Sequence, residues 1–517
     1  MAIPAPAAEP RLRPRLTPLS GAERLRLAEG SVGAAAYRKV GSRWLVSAEH
    51  GGWAMLTEPD LRAYLEGRLD PAGAAYAELR MRGLIRDRLD FDSLAGLWSE
   101  KDAFLFRAPS LHIVVATLRC NHKCLYCHSS VVGLDQVDKD MTLETARKTV
   151  DLVFECPNPA LIVEFQGGEP LLNWPVVKYV TRATRLKARA ARRTAFVTMV
   201  SNFSLMDEEK AAFLAEEKVG VCTSLDGPAE LHDKNRLWTG GASHASAVRW
   251  LRWFQDAADS PRGGYRPGAL MTTTRLSLSM PERIVDEYLG LGMPGIFLRP
   301  LSPVGFAKRS WGTIGYTVEE FLRFYRRALD YIIHVNKSGT YFYERHILTL
   351  LTKVMLSKDP GYVDLRSPSG AAFGVLAYDY DGGVYTGDEA RMVAQEGQGL
   401  FRVGEVGKTP YNDIFETGLV KAAAAASALE NQPLCSQCTY RPWCGVDPVY
   451  NMQTQKSLWG RMPDNDRCHL YMGLFDILFE KLQDPDGRAV FESWLEAAPR
   501  PSPEGPAAQA ACATETP

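Results

Sequence analysis

Apolar positions along the chain follow two rhythms that alternate. Short runs dense in Val, Ile, Leu and Phe, bounded by polar or Gly-containing turns, read as buried strands. They are Leu111–Leu118, Leu161–Gln166, Thr194–Val200 and Val219–Leu225, then 269–278 and 296–299. Between them lie stretches with apolar residues three and four apart, which read as helices. These are Thr142–Glu155, with Thr142 as N-cap, then about 175–190, 207–217, 243–255 and 281–289. Strands alternating with helices at this spacing predict an α/β fold of parallel units.

The flanks differ in kind. Residues 1–24 are rich in Pro, Ala and Arg, without the apolar core of a signal peptide, and are expected to be disordered, as is the Pro/Ala-rich 498–517. Within 25–100, Tyr37–Val40 and Arg43–Ser47 read as a hairpin around Gly41-Ser42, and Thr57–Arg68 and Pro71–Arg82 as amphipathic helices. Such a small α+β unit of a hairpin and three helices is either a peptide-recognition element that works by strand addition or a stabilising cap. The strand-and-helix pattern fills 108–310. A helix-rich linker at 311–365 follows, whose Tyr325, Tyr331, Tyr341 and Tyr343 read as core, and then a last domain at 366–485.

Composition mainly excludes. A net charge of −1 gives no electrostatic case for nucleic acid, and no apolar run reaches the roughly 18 residues of a membrane span. The expected location is the cytoplasm, where thiols stay reduced. That matters because seven of the 10 cysteines fall into two constellations, leaving Cys156, Cys222 and Cys512 outside both.

The first constellation is Cys120-x3-Cys124-x2-Cys127, directly after the first strand. Three thiolates on one loop can hold three corners of a [4Fe–4S] cluster and leave one iron open for chemistry. A zinc loop completed by His122 or His128 is the alternative. The second strand ends in Gly167-Gly168-Glu169-Pro170, where glycines permit close backbone approach and a carboxylate can pair with an ammonium group. By itself that run could be a strand-ending turn, and Ser201-Asn202 after the third strand could be an ordinary Ser-Asn turn. Cys120, Glu169, Ser201, Asn202 and Asp226 all fall at the C-terminal ends of strands, where parallel barrels place their chemistry.

The Cys loop and Gly-Gly-Glu-Pro run together resemble the radical S-adenosylmethionine (radical SAM) superfamily. The resemblance implies a partial (β/α)6 barrel. It implies a SAM-binding [4Fe–4S] cluster on Cys120, Cys124 and Cys127, and SAM held by Tyr126, Gly167, Gly168, Glu169, Ser201 and Asn202. It also implies chemistry through a 5′-deoxyadenosyl radical, with an external donor such as flavodoxin or ferredoxin.

The run Ser224-Leu225-Asp226-Gly227-Pro228 with His232, Asp233 and Arg236 is similar to the peptide- and protein-modifying branch that includes sulfatase maturases. Asp226 and His232 are as well explained by a buried turn as by catalysis. The second constellation, Cys435-x2-Cys438-x5-Cys444-x23-Cys468, can close around an Fe–S cluster or zinc. It resembles the SPASM extension of that branch, reduced to one auxiliary [4Fe–4S] cluster. Gly387 and Pro448 stand where the family has cysteines, so the nearer auxiliary cluster is expected to be missing. Asp388 occupies the position of an acid proposed as a base in sulfatase maturases; alternatively it is a solvated acid in a Gly-rich turn.

The order of parts is most similar to the HxsB-type maturases of His-Xaa-Ser repeat systems. That resemblance implies an enzyme that oxidises or cross-links a ribosomally made peptide, often beside a second radical SAM maturase. The alternatives are a formylglycine-generating sulfatase maturase and a non-catalytic Fe–S or zinc peptide binder.

Overall fold

The computed structural model describes residues 33, 35–86, 89–129, 131–260, 263–397 and 399–497. The expected disorder at 1–24 and 498–517 lies outside the described residues.

Six strands, Leu111–Thr117, Ala160–Gly167, Thr194–Ser201, Gly220–Ser224, Gly268–Thr272 and Leu298–Arg299, lie side by side in chain order. Each pairs in parallel with the next. The crossovers are helical, at Leu143–Glu155, Trp174–Ala191, Glu208–Glu216, Ser243–Ala258 and Pro281–Gly290. A sheet whose sequential strands are all parallel, with helices on one face, coils into an open barrel and puts every strand's C-terminal end on one rim. Thr142 caps the first crossover helix through the Thr145 amide.

The fifth strand is shorter than the sequence suggests. It stops at Thr272, and Arg275–Ser279 is a 3-10 turn closed by a reciprocal Thr274–Ser277 capping box. Those hydroxyls bond their own backbone and so compete with the sheet ladder.

On its other side the sheet continues beyond the first strand. Val375–Tyr378 pairs in parallel with Leu111–Val114, and Gly383–Tyr385 and Arg402–Glu405 follow antiparallel. The hairpin that carries Gly387 and Asp388 at its exit is therefore an edge of the barrel sheet. The helices Val318–Lys337 and Arg345–Leu356 pack against Asp466–Gln483 and Pro485–Ala497. Tyr325 is fully buried there, whereas Tyr341, in the turn beyond the first of these helices, is 41% exposed and is not core.

The N-terminal unit contains a strand that the sequence reading missed, Trp53–Leu56, paired with Arg43–Ala48. Four apolar residues without alternation, after Gly51-Gly52, give little periodic signal. Its helices are Glu58–Leu65, Ala74–Met81 and Phe91–Lys101, shortened where Gly67 and Gly73 interrupt. The unit has its own small core around Val46, Leu61, Tyr64 and Leu79. It is seated on the C-terminal part of the chain. Arg38 forks onto Asp476 at 3.0 and 2.8 Å, and Ser47 Oγ donates to the Thr439 carbonyl at 2.6 Å. Trp53 packs edge-on against Phe479.

Candidate functional site

The loop bearing Cys120, Cys124 and Cys127 leaves the first barrel strand and is fixed at its root. Arg119 binds Asp140 through Nε at 2.8 Å and Nη2 at 2.5 Å, and the Cys120 amide donates to the Val132 carbonyl. Its middle is held by a short antiparallel ribbon, His122–Cys124 against Arg236–Trp238. The three thiols face a cleft of about 830 Å³ on the rim of the barrel, together with Glu169, Ser201, Asn202, Arg236, Arg299 and Asp388. Burial pushes the Cys124 thiol up to about 12, and the Cys120 and Cys127 thiols up as well. Cationic or polar donors stand beside the sulfurs. Arg236 Nη1 is 3.9 Å from Cys124 Sγ, Asn202 Nδ2 3.9 Å from Cys120 Sγ, and the His122 amide 3.4 Å from Cys120 Sγ. Sulfur ligands with donors around them are what an Fe–S cluster requires. Among the described residues no three His, Cys, Asp or Glu side chains converge closely enough for a single metal ion. His122 is buried and His128 half-buried, and desolvation holds both rings near 3, neutral.

The Gly167-Gly168-Glu169 turn locks onto this loop. A Cβ at Gly168 would lie 2.1 Å from the Arg119 carbonyl oxygen, and Gly167 sits at φ +113° with Val115 at 2.6 Å from a would-be Cβ. The Gly168 and Glu169 amides donate to Thr117 and Arg119 carbonyls, both at 2.8 Å. So the glycines serve a close approach between two chain segments, where the sequence suggested close approach to a ligand. Glu169 is 1% exposed. It accepts from Ser201 Oγ at 2.8 Å and from the Asn202 and Leu171 amides at 2.8 and 3.1 Å. Burial raises its carboxyl to about 7 despite these bonds. Ser201 and Asn202 thus hold Glu169, and Asn202 also reaches Asn121 at 3.0 Å.

Asp226 is the tie between the fourth strand and the Cys loop. Fully buried, it accepts the Tyr126 hydroxyl at 2.7 Å, Asn235 Nδ2 at 3.1 Å, Arg236 Nε at 3.4 Å and the Thr272 amide at 3.3 Å. His232 Nδ1 takes the Asp226 amide at 3.3 Å and its Nε2 meets Ser243 Oγ at 2.9 Å, so both ring nitrogens are occupied. This arrangement favours the buried-turn reading of Asp226 and His232. The Tyr126 ring lies under the Arg236 guanidinium at 5.1 Å and borders the cleft, but its hydroxyl is spent on Asp226.

Asp388, at the start of helix Asp388–Gln395, is 2% exposed, borders the cleft and is bound by Arg391 Nε at 2.8 Å. It is a buried, ion-paired acid, which sets aside the solvated-turn reading. A Cβ at Gly387 would meet only Val375 Cγ1 at 3.5 Å, so space does not exclude a cysteine there.

Cys435, Cys438 and Cys444 lie on one looped turn, with Cys438 N bonded to the Cys435 carbonyl at 3.0 Å. Cys468 enters from the first turn of Asp466–Gln483, its amide capped by Asn465 at 3.1 Å. Burial raises the Cys435 and Cys468 thiols to about 12 and 11; next in size are Cys468 and Cys438 acting on Cys435, and Cys438 acting on Cys468. Cys435, Cys444 and Cys468 all pack against the small cluster of Leu429, Val446 and Met462. Arg236 and Arg299 were not singled out as cleft residues from sequence; Arg299 closes the sixth strand, and that strand-end position was the available signal.

The radical SAM superfamily model matches residues 114–260. A cysteine-type anaerobic sulfatase-maturating enzyme of Clostridium perfringens is 32% identical over 132 residues, 25% of this chain and 35% of that enzyme. Among solved structures, native anSMEcpe with bound AdoMet superposes with a TM-score of 0.61 at 20% identity, covering 73% of this chain and 100% of that one. Streptococcus suis SuiB bound to its precursor peptide SuiA gives 0.50 at 12% identity, covering 83% and 98%. These likenesses establish a shared fold. No helix among the described residues is long and apolar enough to cross a membrane.

Proposed function

We propose that this chain is a radical SAM enzyme that oxidises or cross-links a ribosomally made peptide. The observation that carries the proposal is the meeting of Cys120, Cys124, Cys127, Glu169, Ser201, Asn202 and Asp388 in one cleft on the barrel rim. Cys120, Cys124 and Cys127 would hold a [4Fe–4S] cluster, and Cys435, Cys438, Cys444 and Cys468 an auxiliary one. The first cluster with SAM supplies reductive cleavage of the sulfonium, and so a hydrogen-abstracting radical.

The chain's own groups do the rest. Glu169, buried and triply hydrogen-bonded, is placed to pair with the SAM ammonium. Arg236, paired with Asp226, and Arg299 place guanidinium groups on the cleft wall. Asp388, ion-paired with Arg391, faces the same cleft and can accept the proton released when the oxidised substrate closes its new bond. Peptide chemistry is supported by the two superposed structures: SuiB is bound to precursor peptide SuiA, and anSMEcpe is known with bound Cp18Cys peptide. A His-Xaa-Ser repeat peptide is the finer proposal, with an external flavodoxin or ferredoxin as donor and a second radical SAM maturase as partner. The three-stranded N-terminal unit, with Tyr37 and Lys39 exposed on its outer strand, is the proposed peptide grip.

The test is anaerobic reconstitution followed by SAM and peptide. About eight irons per chain and formation of 5′-deoxyadenosine are expected, both lost in part or whole in Cys124→Ala. A loaded, reduced protein that leaves SAM intact with peptide present would reject the enzyme. A sulfatase-maturase reading has the Clostridium perfringens similarity in its favour. It would show as formylglycine in a sulfatase peptide.

A further inference from the structure

We propose that Arg236 sets the reduction potential of the cluster held by Cys120, Cys124 and Cys127, and that Asp226 sets how much of the arginine's charge reaches it. This rests on the radical SAM reading above and concerns the protein before SAM or peptide binds. The ribbon of His122–Cys124 and Arg236–Trp238 places Arg236 directly opposite Cys124. Alternate residues of a strand share a face. Cys124, His122, Arg236 and Trp238 therefore stand on the inward side of the ribbon, and the exposed Lys123 and Leu237 on the other.

The guanidinium serves two partners with different nitrogens. Nε lies 3.4 Å from Asp226, while Nη1 donates toward Cys124 Sγ at 3.9 Å. Asp226 does not cancel the arginine. Its carboxylate also takes the Tyr126 hydroxyl at 2.7 Å, Asn235 Nδ2 at 3.1 Å and the Thr272 amide at 3.3 Å, so donors around it outnumber the one charge it carries. Arg236 is 9% exposed and Asp226 fully buried, and water screens neither well. The potential of an Fe–S cluster follows net charge, hydrogen bonds to its sulfurs and exposure. A cationic N–H aimed at a ligand sulfur stabilises the form that holds one more electron, and a carboxylate behind it weakens that effect. The couple takes a single electron from the external donor, with no bond made or broken. Arg236 thus enlarges the reduced share at a given donor potential, and the Asp226 pairing limits it.

The test is a redox titration followed by electron paramagnetic resonance on the full-length, cluster-loaded protein without SAM or peptide. At fixed potential, Arg236→Gln should lower the ratio of reduced to oxidised cluster about tenfold, which is 59 mV for a one-electron couple. Asp226→Asn should raise that ratio about threefold, and Arg236→Lys should stay within about threefold of the unmodified protein, by keeping the charge. The opposite signs carry the test, because either substitution breaks the same ion pair and a merely structural pair would shift both variants alike. Shifts of one sign, an unmoved potential in Arg236→Gln, or an equal shift of the second cluster would overturn the proposal. One measurement needs no variant: in protein labelled with nitrogen-15 arginine, the reduced cluster should show a nitrogen-15 coupling, and its absence would overturn the proposal as well. SAM cleavage on the same preparations reports separately on the radical SAM reading.

Discussion

Replacing Gly168 by alanine should empty the SAM cluster site without touching a ligand. The new methyl would sit 2.1 Å from the Arg119 carbonyl oxygen and 2.7 Å from its carbon, whereas real Cβ atoms stay beyond 3.0 Å. One of the two segments must move by about 1 Å, and neither is a flexible side-chain tip. Overpacking of this kind costs about 1–3 kcal/mol. The Glu169 amide bond to that same carbonyl, now 2.8 Å, would stretch and lose about 1 kcal/mol more. A penalty of about 2–4 kcal/mol falls on Arg119, the residue adjacent to Cys120, and displaces the sulfur from its partners. Reconstituted Gly168→Ala should therefore carry about four irons per chain against about eight, by loss of the cluster on Cys120, Cys124 and Cys127. Gly387→Ala is the control: its methyl meets only Val375 at 3.5 Å, and iron should stay at the unmodified level. Full iron and undiminished SAM cleavage in Gly168→Ala would refute the argument that these glycines lock two chain segments together.

Cys468→Ser should remove the other four irons while leaving SAM cleavage, read by iron analysis and 5′-deoxyadenosine yield. Asp226→Asn takes the charge from a buried pair with Arg236 and should cost about 3 kcal/mol, seen as a lower denaturation midpoint and poorer iron loading. The pH dependence centres on Glu169, whose carboxyl is raised from 4.5 to about 7 by burial. Between those values the folded state holds a proton that the unfolded chain has released, so stability of the cluster-free protein falls as pH rises through this window, by about 3 kcal/mol. SAM binding runs the other way. Because the ionised carboxylate pairs the ammonium, affinity should improve about tenfold from pH 5.5 to 7, and Glu169→Gln should flatten the profile. Peptide added to the enzyme should slow hydrogen exchange at Ala35–Val40 if that strand is the docking edge; unchanged exchange there would leave the unit a cap.

Much of the barrel was legible because parallel strands buried on both faces read as continuous apolar runs, and each crossover helix carries its own 3.6-residue stripe. What stayed hidden was tertiary. The strand Trp53–Leu56 has no alternation to betray it, and its Trp53 is buried by Phe479 from the far end of the chain. Nothing near 375–385 says that this hairpin will extend the barrel sheet, since the partner strand Leu111–Thr117 is some 260 residues away in sequence.

The site followed the same division. Residue type and spacing named the cysteines and Glu169, because a ligand or a carboxylate is needed whatever surrounds it. The use of the other residues depended on contacts between distant segments. Gly168 answers to the Arg119 backbone, and Tyr126 and Arg236 answer to Asp226. The Asp226–Arg236 stretch had looked like a label for a protein-modifying branch. In space its last residue, Arg236, begins the strand that pairs with His122–Cys124, and its first, Asp226, binds Tyr126, so the motif is part of the mounting of the Cys loop. That placement also explains why its His232 is neutral and fully bonded: a mounting needs fixed geometry, and a titrating group there would loosen it.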